Sequence, residues 1–135
     1  SGMESSFEKK LFNRHNFKIQ FTKILGKQED GDSITLVPKD KIVSSINSEI
    51  TKSILFNSSY VFQNKSKDTK HNELPTYRSL NMNLNYNFDD DIKATFKIQN
   101  ILDRNNITNR GGGTSQNQGY QNPGRSFYLG IRLKY

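Results

Sequence analysis

The sequence predicts an all-β chain, an antiparallel up-and-down meander of six or seven strands belonging to a transmembrane β-barrel. Three observations predict it. Apolar and polar residues alternate at period two in segment after segment, the connections between segments alternate short and long, and the last segment carries its alternation to the final residue.

The clearest segment is Leu80-Asn81-Met82-Asn83-Leu84-Asn85-Tyr86-Asn87-Phe88. A strand puts its two residue sets on opposite faces, whereas a helix would mix them around its circumference. One face is apolar; the other is four asparagines, which a dry core could hardly satisfy. Residues 92–102 place Ile92, Ala94, Phe96, Ile98 and Leu102 against Lys93, Thr95, Lys97 and Gln99. Residues 125–135 place Phe127, Leu129, Ile131, Leu133 and Tyr135 against Ser126, Tyr128, Gly130, Arg132 and Lys134. Weaker versions occupy 17–25, 42–50 and 54–62, and residues 5–12 supply a seventh strand.

Connections 13–16, 51–52 and 89–91 are short, while 29–40, 66–76 and 104–124 are long. Membrane barrels keep this parity, with tight turns on the periplasmic side and longer loops outside the cell. Aromatics gather near the strand ends, Tyr60, Phe62, Tyr77 and Phe127 toward the long loops and Phe17, Tyr86, Phe88 and Tyr135 toward the short turns. Amphipathic rings are favoured at headgroup level. A soluble β-barrel or sandwich binding module also alternates, because one face meets its core. It remains the alternative, with loop parity and the apolar terminal strand favouring the membrane.

Composition narrows the chemistry. Only 32% of the 135 residues are hydrophobic, and the mean hydropathy is −0.83. Such a balance gives a soluble domain a thin core but suits strands that show one face to an apolar medium. The net charge of +7 invites a nucleic-acid partner, but Lys and Asn are spread evenly rather than gathered into a patch, so none is expected. Without cysteine there are no disulfides, thiol nucleophiles or Cys-ligated metals. No apolar run is long enough for a transmembrane helix.

No catalytic, metal or cofactor-binding residues are expected. His15 and His71 sit alone in a turn and a loop, as solvated residues rather than ligands or bases. Asp89-Asp90-Asp91 offers too few oxygens for a closed calcium site. Gly111-Gly112-Gly113 lacks the Lys-Ser/Thr of a phosphate loop. The loop 104–124 carries Arg104, Asn105, Asn106, Asn109, Arg110, Gln116, Gln118 and Tyr120. That set suits contact with a ligand from outside; a plain surface loop has the same composition.

The run Asn100-Ile101-Leu102-Asp103, then a Gly-rich loop, then Pro123-Gly124-Arg125-Ser126-Phe127-Tyr128-Leu129-Gly130-Ile131, ending in Lys134-Tyr135, resembles the closing hairpin of TonB-dependent outer-membrane receptors. Leu74-Pro75-Thr76-Tyr77 and Val37-Pro38-Lys39-Asp40-Lys41 resemble the family's approaches to earlier strands. The likeness is specific over 74–135 and loose before that. Ile101-Leu102 replaces the usual Leu-Phe and Tyr135 the usual Phe.

The resemblance implies a C-terminal barrel segment over 4–135, with residues 1–3 reading as a tag scar. Neither the plug domain nor the energy-coupling box is in the sequence, so the TonB complex would be a partner only through the missing plug. The parent would lie in the outer membrane of a Gram-negative bacterium and take up a scarce nutrient of the siderophore-iron, haem or cobalamin class. Phe127, Leu129, Ile131, Leu133 and Tyr135 resemble the C-terminal signal read by the barrel-assembly machinery. Leu84, Phe96, Ile98, Leu129 and Ile131 should face membrane lipid and Asn83, Asn85, Lys97 and Arg132 the lumen. An excised piece should self-associate through its unpaired edge strands.

Overall fold

The computed structural model describes residues 1–26, 35, 37–68, 72–109 and 120–134. Among them are eleven strands and no helix: β1 (Gly2–Leu11), β2 (His15–Ile24), β3 (Asp40–Thr51), β4 (Ile54–Gln63), β5 (Ser66–Lys67), β6 (Glu73–Leu74), β7 (Tyr77–Asn87), β8 (Ile92–Gln99), β9 (Ile107–Asn109), β10 (Tyr120–Gln121) and β11 (Ser126–Leu133). Seven of them form one sheet in the order β1-β2-β3-β4-β7-β8-β11, every neighbour antiparallel. The short pairs β5–β6 and β9–β10 belong to connections, so the sheet follows chain order. It is a meander, as the alternation predicts.

The short connections close tightly for identifiable reasons. Phe12 and Asn13 take φ of 52° and 54°, the left-handed pair that suits the twist of a hairpin, and the Arg14 N–H donates to the Leu11 carbonyl at 3.2 Å. A bulge between Glu49 and Thr51 leads into the second turn, where Thr51 Oγ1 accepts the N–H groups of Ser53 and Ile54. In the third, Asp89 Oδ1 accepts the N–H groups of Asp91 at 2.9 Å and Ile92 at 2.7 Å. All three turns lie at one end of the sheet and the three long connections at the other.

Pairing register shows that the strands are staggered. His15, beside the first turn, stands opposite Ser48, yet β3 continues to Thr51 before the second turn. Tyr86 stands opposite Ile54, beside the second turn, yet β7 continues to Asn87. The turns therefore step along the cross-strand rows, the displacement that tilted barrel strands require.

Four expectations are corrected. His15 lies inside β2 and not in a turn, its Nδ1 hydrogen-bonded to Ser48 Oγ. The strand expected over 92–102 stops at Gln99, because Asn100 adopts φ of 49° and turns the chain away, leaving Leu102 in a turn. The loops 66–76 and 104–124 contain the small pairs β5–β6 and β9–β10. Tyr77 shares the face of Ser79 and Asn81, not that of Phe62, so it is no part of an outward girdle. His71 and Gly111–Gly113 lie outside the described residues.

Candidate functional site

The sheet wears its apolar residues on the outside. Side chains opposite one another on neighbouring strands share a face. Rows such as Met82–Ile98–Phe127, Leu84–Phe96–Leu129 and Tyr86–Ala94–Ile131 cross the last three strands of the sheet. Leu84, Phe96, Phe127, Leu129 and Ile131 are all exposed, Leu129 by 77%. Along β7 the burial order is the reverse of a soluble protein's, with Asn81, Asn83, Asn85 and Asn87 half-buried and Met82, Leu84 and Tyr86 exposed. The only buried large apolar side chain among the described residues is Leu74, in a connection, while Ser79, on the polar face of β7, is buried. A soluble barrel or sandwich hides its apolar face. Along β7 the polar face is the sheltered one, as on the concave side of a barrel wall.

That polar face is cross-linked. Asn16, Asn47, Asn57, Asn83, Lys97 and Tyr128 stand in one row across six strands. Asn57 Nδ2 donates to Asn47 Oδ1 at 2.7 Å, and Asn83 Nδ2 reaches Asn57 Oδ1 at 3.5 Å. Lys97 Nζ lies 5.4 Å from the Tyr128 ring centroid, within cation–π range. In the next row, Thr95 Oγ1 donates to Asn85 Oδ1 at 2.9 Å. Amides satisfy one another along such a row without needing a core.

At the long-loop end, two segments that the sequence analysis singles out are tied into one knot. Asn100 Nδ2 donates to the carbonyls of Arg104 at 2.9 Å and Pro123 at 3.2 Å, while its Oδ1 accepts the Arg104 N–H. Asp103 sits at φ 50°. Its Oδ1 accepts the Arg125 N–H at 2.9 Å, and Arg125 Nε donates back to the Ile101 carbonyl at 3.0 Å. Asn106 completes the knot as a stand-in for a missing strand. Its side-chain amide accepts the Arg78 N–H at 3.1 Å and donates to the Arg78 carbonyl at 2.8 Å. Those are the two backbone groups that β8 would have paired had it continued.

Of the residues expected in a terminal assembly signal, Phe127, Leu129, Ile131 and Leu133 share the outward face of β11; Tyr135 lies outside the described residues. Of the expected ligand loop, Arg104 is exposed beside the knot and Tyr120 is 71% exposed in β10. Arg110, Gln116 and Gln118 lie outside the described residues. Asn106 is buried and fully engaged with Arg78, which makes it a structural residue rather than a ligand contact. The sequence signal that could have revealed this is an Asn cluster just past a strand end, since Asn side chains substitute readily for backbone groups. Among the described residues no group of His, Cys, Asp or Glu could hold a metal ion.

An antiparallel meander with one apolar and one polar face has the pattern of a transmembrane β-barrel wall. Its fold is that of part of the barrel of TonB-dependent receptors. The ferric enterobactin receptor PfeA (G324V mutant) from Pseudomonas aeruginosa superposes with a TM-score of 0.79 at 18% identity, covering 99% of this chain and 22% of that one. The copper transporter OprC superposes at 0.79 with 16% identity, over 99% of this chain and 23% of that one. The siderophore receptor PiuA from Acinetobacter baumannii gives 0.74 at 17% identity, over 99% and 21%. The chain thus spans about a fifth of the length of these structures. No protein-family model and no curated protein matches the sequence.

Proposed function

We propose that residues 4–135 are the C-terminal wall of a TonB-dependent receptor's barrel in the outer membrane of a Gram-negative bacterium. The whole receptor takes up a scarce nutrient of the siderophore-iron, haem or cobalamin class. The observation that carries this reading is the inverted burial along β7, with Met82, Leu84 and Tyr86 exposed on one face and Asn81, Asn83, Asn85 and Asn87 sheltered on the other. Lipid is the solvent that makes such an outside favourable. Structures described as siderophore receptors and a copper transporter share the fold, which supports transport rather than catalysis. Arg104 and Tyr120, with Arg110 and Gln116, are the loop residues proposed to meet cargo from outside. Contact with the TonB complex would run through a plug domain outside this sequence.

The reading is tested with single Cys replacements, which are clean reporters because the chain has no native cysteine. In the receptor reconstituted into liposomes, Leu84→Cys and Ile131→Cys should react with a membrane-soluble maleimide and resist a charged one. Asn83→Cys and Asn57→Cys should do the opposite. Rapid reaction of the Ile131→Cys thiol with the charged reagent in the intact barrel would sink the wall assignment. Uptake of ferric siderophore, haem and cobalamin by cells carrying the receptor then separates the cargo classes.

A further inference from the structure

Lysines are spread along the chain, yet the strand register sorts charge on the polar face of the sheet. On β1, β2 and β3 that face carries acids and bases together, Glu4, Glu8 and Glu49 beside Lys10, Lys18 and Lys41. On β4 and β7 it carries no charge, and on β8 and β11 its charged residues are Lys93, Lys97 and Arg132, all cations. Carboxylates on this side lie past the strand ends, at Asp89, Asp90 and Asp91 in the turn and at Asp103. The three cations stand in two rows, Asn83–Lys97–Tyr128 and Asn87–Lys93–Arg132. Among the described residues none of their side chains forms an ion pair. Lys93 faces Arg132 directly, an opposition of like charges that is unfavourable until an anion joins it. Lys97 is half-buried, its Nζ 5.4 Å from the Tyr128 ring centroid. A cation held against a ring face keeps its position while its charge stays unneutralised.

The two rows lie at different depths. Lys97 is two residues from the long-loop end of β8 and Lys93 one residue from its short-turn end. Four residues (97 − 93) separate them, about 13 Å along a strand. Each row sets a cation beside an amide, Asn83 with Lys97 and Asn87 with Lys93, and a charge next to a hydrogen-bond donor suits a carboxylate or catecholate oxygen. Passage through a lumen needs several weak sites rather than one tight one, and two such stations in series, neither closed by an acid of the wall, meet that need. Resting on the receptor reading above, we propose that the polar face of β8 and β11 is the track along which an anionic cargo descends through the barrel, received first at Lys97 and then between Lys93 and Arg132. The cargo's negative oxygens are those of catecholates or carboxylates, so the track takes a ferric catecholate siderophore or haem in preference to net-neutral cobalamin. The mixed charges of β1–β3 attract and repel such an anion by turns and form no track for it.

The test measures surface binding and energised uptake separately in cells carrying the full receptor, with a ferric tricatecholate, haem and cyanocobalamin as probes. Wild type should take up the tricatecholate or haem and not the cobalamin. Lys97→Gln should slow that uptake about tenfold, the loss expected for one charge-assisted contact, with surface affinity unchanged within about twofold. Lys97→Arg should restore most of the rate, and Lys18→Gln, on the mixed-charge side, should leave it as in wild type. Arg132→Gln acts at the second station and should slow uptake several-fold, which keeps the test decisive if Lys97→Gln folds poorly. Uptake by Lys97→Gln at the wild-type rate would overturn the proposal, and so would uptake of cyanocobalamin alone. Loss of uptake together with entry of a bulky antibiotic that the intact outer membrane excludes would also overturn it, because Lys97 would then anchor a neighbouring domain rather than pass cargo. A wild-type receptor that takes up none of the three probes would instead bring down the receptor reading itself.

Discussion

Asp103 and Arg125 meet across the closing loop: one carboxylate oxygen, Oδ1, accepts the Arg125 backbone N–H at 2.9 Å. The same oxygen stands 3.2 Å from the point where a β-carbon on Gly124 would lie. The acceptor and the glycine beside it are therefore matched. Replacing Asp103 by Ala leaves the Arg125 N–H to solvent and should cost about 1–2 kcal/mol, given the site's exposure. Asp103→Asn keeps an acceptor in place and tolerates the positive φ, so it should cost less than half as much. Gly124→Ala should cost about 1 kcal/mol, as the carboxylate is pushed aside. Urea titrations of the receptor in lipid vesicles measure all three, and an Asp103→Ala variant as stable as wild type would deny the knot any role in stability.

The two faces of β11 should respond oppositely to substitution. Leu129 stands four residues from Leu133 (133 − 129), the last residue of β11, well inside the apolar band. Leu129→Arg should cost about 2–4 kcal/mol, and Leu133→Arg, near the border, about 0–1 kcal/mol. Gly130 points to the polar face, and a β-carbon there would meet nothing within 4 Å. Gly130→Ala should accordingly stabilise by about 0.4–1 kcal/mol, through a less flexible unfolded chain. If the two Arg variants were equally costly, the depth assignment would be wrong.

Much of this wall was legible because one rule governs it. From Leu80 to Phe88 each side chain's face follows from parity, and register then carries that parity to β4, β8 and β11. What escaped reading was aperiodic. Asn100 and Asp103 take positive φ on account of local side-chain hydrogen bonds, which leave no hydrophobic period to detect. Asn106 acts on Arg78 from 28 positions away, a tertiary relationship with no local trace. Arg78 was missed with it, since a strand read from Leu80 onward gives residue 78 no face. His15 looked like a turn residue because its neighbours Asn13, Arg14 and Asn16 are polar, yet its partner Ser48 lies on β3.

Orientation follows from parity. If the short turns lie on the periplasmic side, Thr108, beside the long-loop knot, should be outside the cell and Asp90 in the periplasm. A membrane-impermeant thiol reagent applied to whole cells should label Thr108→Cys and not Asp90→Cys, with Asp90→Cys labelled as well once the outer membrane is permeabilised. The opposite labelling in intact cells would reverse the topology.

The terminal strand permits a kinetic separation. Phe127, Leu129, Ile131 and Leu133 face outward, and among the described residues β11 is an edge of the sheet, the kind of edge that strand addition uses. Deleting Tyr135 from the receptor should lower insertion in cells several-fold while leaving the unfolding midpoint of already folded barrels within experimental error. Proportional losses in both would make the strand wall alone, without a recognition role.

Asn122 donates its N–H to the Asn106 carbonyl at 3.0 Å, so the residues between them leave and return through a single hydrogen-bonded gate. Among the described residues, the hydrogen bonds that tie the wall at this corner, from Asn100 to Asn106 and from Asn122 to Arg125, lie on the near side of that gate. The stretch from 107 to 121 is therefore an interchangeable cassette. It can be lengthened, shortened or rewritten without asking the barrel to refold, because extra loop residues cost little entropy once the ends are joined. Editing between the two gate residues would thus leave the scaffold beneath as it stands.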